Sequence, residues 1–143
     1  MSATVLYTPE VLALATGLAR WPWDEALPLT ATARSRSCGS TLAIGLGLAA
    51  DGTIERIGLR AQACAVGQAA AAIFAEAAPG LDPHHIAAAR DALARWLSGE
   101  GAMPDWPGLE AIAAASAYPA RHGAMMLAWN GASEALFPDG SAR

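Results

Sequence analysis

The sequence predicts an α+β fold: an N-terminal helix, a small antiparallel sheet of about three strands, then helices packed on one sheet face. Three observations lead there. Thr8-Pro9-Glu10 is a helix start, residues 41–49 alternate with period two and run into an Asp51-Gly52 turn, and nearly everything after residue 63 reads as helix. Strands and helices segregated along a chain, rather than alternating, mark the α+β class.

The elements follow in order. Thr8 can cap the first helix, Pro9 needs no N–H at the first position, and Glu10 suits the positive helix end. Val11, Leu14, Ala15 and Leu18 then share a face, and Trp21-Pro22 ends the run. Residues 11–19 are as apolar as a secretory signal core. The acid before them and the lack of a preceding basic residue favour a short amphipathic helix instead. A first strand runs from after Pro28 to about Arg34.

In residues 41–49, Leu42, Ile44, Leu46 and Leu48 point one way and only Thr, Ala and Gly point the other. A face of small residues implies light cover or close approach by another element. Asp51-Gly52 is a hairpin signal, and residues 53–61 return with Ile57, Leu59 and Ala61 on one face and Arg56 and Arg60 on the other. An Ala-rich helix over 63–78 ends at Pro79-Gly80; it is too short to span a bilayer. Asp82-Pro83 opens a helix with Ile86, Ala89, Leu93 and Leu97 buried and Asp91–Arg95 as a solvated pair. Residues 99–108 form an internal loop, 109–115 a short helix, and 119–136 a last helix; 138–143 reads as a frayed tail.

The 143 residues suffice for a single domain, 1–143, with a sizeable core. There are 37 alanines, nine arginines and no lysine, and 13 acids bring the net charge to -4. This excludes a basic nucleic-acid footprint. No segment reads as a membrane span, and the chain reads as cytoplasmic, where thiols stay reduced.

The two cysteines exclude a disulfide-dense scaffold and a four-thiolate zinc finger. Cys38 stands in Ser37-Cys38-Gly39-Ser40 just before a strand; Cys64 stands at a strand-to-helix junction, where unpaired N–H groups favour a charged sulfur. On spacing alone each reads as a small buried hydrophobe. His84 and His85 read as surface residues, His122 as structural, and the five tryptophans as packing. No phosphate loop, His-Glu-x-x-His or nucleophile elbow occurs.

Four segments carry a likeness to a known family. They are Cys38-Gly39-Ser40 before a strand; Ala63-Cys64-Ala65-Val66-Gly67-Gln68 opening a small-residue helix; Tyr118-Pro119-Ala120-Arg121-His122-Gly123-Ala124 leading to Trp129; and the opening helix from Tyr7. Together they resemble the iron–sulfur cluster assembly scaffolds of the NifU N-terminal, IscU and SufU type, over about residues 7–136. The spacing between Cys64 and Pro119 is closest to the SufU branch. The resemblance implies a SufE/NifU-like fold, a cytoplasmic carrier rather than an enzyme, and metal ligation by Cys38 and Cys64. Ser40, Arg121, His122 and Ala124 would lie near that site.

The departures from the family pattern are specific. Its third cysteine, the usual sulfur acceptor, falls on Ala124, and its Asp after Cys-Gly falls on Ser40. IscU's chaperone-recognition segment is missing. Two of four ligand positions are therefore lost. A cluster normally takes four thiolates, which a homodimer sharing both cysteines would restore. The expected cargo is an iron–sulfur cluster or iron, and the expected partners are a cysteine desulfurase or other assembly proteins, with no nucleic acid or membrane. The alternatives are an interaction module carrying no cofactor, and a zinc site of Cys38, Cys64 and His122.

Overall fold

In the computed structural model, which describes residues 6–140, the sheet is the frame on which the helices are arranged. Strands β1 (Leu29–Arg34), β2 (Thr41–Leu48) and β3 (Ile54–Gln62) pair antiparallel in the order β1-β2-β3. The register sets Ala31, Ile44 and Leu59 in one row and Ala33, Leu42 and Ala61 in the next. Period-two alternation puts these apolar side chains on one face, towards the helices. Past Gly47 the pairing skips Glu55, an extra residue of β3, so that Leu48 at the end of β2 lies opposite the buried Ile54 and is itself 38% exposed.

The small-residue face is closely approached, as the sequence implied. A Cβ on Gly58 would lie 3.0 Å from Leu27 Cδ1 and 3.0 Å from the Pro22 carbonyl oxygen. Residues 21–27 therefore press against glycines because nothing larger fits. The Trp21 carbonyl also accepts from the Leu59 N–H at 2.9 Å.

Helix α1 (Pro9–Thr16) starts as its sequence dictates: the Thr8 hydroxyl accepts from the Val11 N–H at 3.1 Å. Helix α2 (Ala65–Ala77) lies between α1 and helix α4 (Pro119–Leu136), and residues 69–75 are all buried. Alanine on every side is what allows this close approach. Helix α3 (Pro83–Leu97) is capped by Asp82, which accepts from the His85 N–H at 2.8 Å, and it packs on α4. The expected Asp91–Arg95 pair does not form. Arg90 turns to Asp91 instead, with Nη2 2.9 Å from the carboxylate. The expected short helix is a 3-10 helix extending over Leu109–Ala117.

Helix α4 covers β1 and β2. Gly131 lies so close that a Cβ there would be 3.0 Å from Ile44 Cγ2. Beneath it, Phe74 stacks on Trp106 at 5.6 Å, and Trp129 meets both edge-on. Trp106 is fixed by its indole N–H, which donates to the Ile73 carbonyl at 3.0 Å. This anchors the end of the segment linking α3 to Leu109. Gly140 closes a turn on the Phe137 carbonyl, and residues 141–143 of the expected tail lie outside the described residues. Among the described residues no helix is long and apolar enough to cross a membrane.

Candidate functional site

The topology brings both cysteines to one end of the sheet. Cys38 lies in the turn from β1 to β2, and Cys64 follows the end of β3 as the residue preceding α2. Neither is in a disulfide. Cys38 is exposed, so the buried-hydrophobe reading taken from spacing alone is corrected there, where a tight turn holds the residue out; Cys64 is half-buried and packs against the core.

The Cys38 turn is locked by its own backbone. The Ser35 N–H donates to the Ser40 carbonyl at 2.8 Å, and the Gly39 N–H donates to the Ser35 carbonyl at 3.0 Å. Gly39 has φ +72°, a conformation open to glycine at low cost. Two hydroxyls flank the sulfur: Ser35 Oγ at 3.4 Å and Ser40 Oγ at 3.1 Å. Both serines are buried. Hydrogen bonding by Ser35 and then Ser40 holds the Cys38 thiol below its ordinary pKa, with a smaller contribution from the Arg121 guanidinium; desolvation opposes them. Ser40 thus supports the sulfur.

The start of α4 closes the site. The Ser37 hydroxyl donates to the Ala120 carbonyl at 3.0 Å. Gly123 lies against the turn so tightly that a Cβ there would be 2.3 Å from Ser35 Oγ. Ala124 faces α2 instead: a Cβ on Gly67, one turn after Cys64, would be 3.2 Å from Ala124 Cβ. Ala124, where the family likeness expects a cysteine, is fully buried. Arg121 Nη2 donates to the Tyr7 hydroxyl at 3.0 Å, which ties the chain's start to this corner.

His122 is turned elsewhere. Its Nε2–H donates to the Ser116 carbonyl at 2.7 Å. Among the described residues no three His, Cys, Asp or Glu side chains come together as a metal ion would need, so the zinc arrangement of Cys38, Cys64 and His122 is not assembled. His84 and His85 are exposed, as expected. Trp106 and Trp129 are buried; Trp21, Trp23 and Trp96 are partly so. Sequence reasoning missed Ser35, Gly67 and Gly123. The serines three before and two after Cys38 were a usable signal for a polar bed under a thiol. Gly67 and Gly123 gave none, because their role is tertiary contact.

No protein-family model matches the chain, and no curated protein sequence matches it. Solved structures do. A NifU-like protein (N-terminal) from Brucella abortus superposes with a TM-score of 0.83 at 26% identity, covering 95% of this chain and 97% of that one. A SUF-system iron–sulfur cluster assembly scaffold protein from thermophilic Fervidobacterium islandicum AW-1 gives 0.82 at 15% identity, covering 94% and 99%. The structural neighbours of this chain are therefore NifU-like and SufU scaffold proteins, and the likeness carried by the Cys38 turn and the Cys64 helix is a likeness of the whole fold.

Proposed function

We propose that this chain is a scaffold or carrier in iron–sulfur cluster assembly, binding iron or a cluster as cargo through Cys38 and Cys64. The supporting observation is that a fold shared with NifU-like and SufU proteins places both cysteines at one end of the sheet, accessible and outside any disulfide. One chain supplies two thiolates, and the buried Ala124 supplies none. Four-thiolate ligation then requires a second copy or a partner's side chains. The role is carriage rather than turnover of a metabolite, with a cysteine desulfurase or another assembly protein as the sulfur source.

Anaerobic reconstitution with ferrous iron and sulfide tests this. The expected result is iron and sulfide bound by a dimer, with visible charge-transfer absorption, both lost in the Cys38→Ser/Cys64→Ser variant. No uptake by the natural chain, and identical behaviour of the variant, overturns it. The closed packing at Ala124 favours one second reading, an interaction module for assembly proteins that carries no cluster. Binding of a cysteine desulfurase without any reconstituted cluster is its signature.

A further inference from the structure

We propose that the outer face of the sheet, at its cysteine end, docks an acidic protein surface. The strand register builds this face. Arg34, Thr41 and Gln62 form the last cross-strand row, and Thr32, Ala43 and Arg60 form the row behind it. Period two points these six away from the apolar core. Thr32, Thr41, Ala43, Arg60 and Gln62 line a shallow hollow of about 240 Å³. The same row ends lead into the turn that carries Cys38, which also presents exposed Arg36.

Charge is unevenly distributed along the chain. Arg34, Arg36 and Arg60 gather at the cysteine end, whereas Arg56 and the strand-segment acids Asp51 and Glu55 lie towards the opposite end and Asp24 and Glu25 stand on the 21–27 segment behind. Among the described residues none of Arg34, Arg36, Arg56 and Arg60 is in an ion pair with a carboxylate, whereas Arg20 and Arg90 are. All four are exposed. Arg60 is exposed and lies over the Trp23 ring at 4.6 Å, a contact that restrains the guanidinium without using its N–H donors. A pre-positioned arginine loses less entropy on binding and is a common interface anchor.

The occupant is a protein carboxylate surface rather than a phosphate lattice. Three arginines at this end with no lysine, on a chain of net charge -4, fall short of the extended basic footprint that nucleic acid needs. Docking here sets the partner's edge beside Cys38. That purpose rests on the scaffold reading; the surface itself does not.

The test uses poly-L-glutamate as the acidic probe and backbone amide NMR of the full chain. Binding should shift signals of residues 30–36, 41–43 and 58–62, and fade as salt rises from about 20 to about 300 mM. Arg34→Glu/Arg60→Glu should weaken it by at least ~10-fold, Arg34→Gln/Arg60→Gln by less, and Arg95→Glu on α3 not at all. The neutral pair gives the same readout if the charge-reversed pair fails to fold. Shifts centred elsewhere, wild-type affinity in the Arg34/Arg60 variants, or tighter binding of duplex DNA to this face overturns the proposal. Reconstitution of Arg34→Glu/Arg60→Glu with free iron and sulfide should match the natural chain. A loss there would place these arginines in the cysteine site and likewise overturn the docking role.

Discussion

The Cys38 turn and the α2–α4 contact lie at the same end of the sheet but are built in opposite ways. The turn is polar, exposed and held by backbone hydrogen bonds, with two buried serines under its sulfur. The α2–α4 contact is apolar, with Gly67 held at close range between Ala124 and Ala63, which lies just before α2. The first arrangement supports a charged sulfur. The second leaves little room for one. Position 124, where the family likeness expects a thiol, is closed over by this packing, and the more exposed of the two sulfurs lies on the turn.

The largest effect is expected where the two regions meet. A Cβ on Gly123 would lie 2.3 Å from Ser35 Oγ, 3.0 Å from Ser35 Cβ and 3.4 Å from Ser37 Oγ. Ser35 is only 3% exposed and cannot swing into solvent. Gly123→Val should therefore cost about 2–3 kcal/mol, the upper part of the range for overpacking, read by urea denaturation. It should also loosen the Cys38 turn. Wild-type stability in this variant would show that α4 does not hold the turn in solution.

The contrast also explains what the sequence disclosed. Helix starts were legible because capping is local chemistry: Thr8 and Asp82 both accept the expected backbone N–H. The sheet was legible because alternation and an Asp-Gly turn are local too. The exposure of Leu48 was not legible because period two says nothing of where cover stops at a strand end, and the Asp91 partner was not because Arg90, its neighbour, takes it rather than Arg95. Cys38 and Cys64 were found through family likeness. The docking of the Cys38 turn on α4 was not legible, since Ser37 and Ala120, which make it, stand 83 residues apart.

A middle-sized effect is expected from restoring the thiol. Ala124→Cys adds a sulfur to a fully buried position beside Gly67, and the metal-free chain should lose about 1–2 kcal/mol. Bound metal should reverse that loss, since a ligand that binds only the folded state stabilises it. Melting with and without zinc checks both halves. A zinc-dependent rise in Tm larger than that of the natural chain shows that position 124 can rejoin the site. An equal rise shows that α2 and α4 keep the new sulfur from it.

The smallest effect separates the contributions within the turn. The Cys38 thiol is held below its ordinary pKa chiefly by Ser35 and then by Ser40. The thiolate is the nucleophile, so alkylation by iodoacetamide slows as pH falls through that lowered pKa. In a Cys64→Ser background the rate–pH midpoint should lie below that of an ordinary thiol. Ser35→Ala should move it upward and slow alkylation near neutral pH; Ser40→Ala should do the same to a smaller degree. Cys64, read in a Cys38→Ser background, should keep its rate in both serine variants, because neither hydroxyl is hydrogen-bonded to it. If Cys64 slowed as much as Cys38, the serines would be acting through the structure of the whole corner. If only Cys38 slowed, the two halves of the site are chemically independent, and the polar bed belongs to the turn alone.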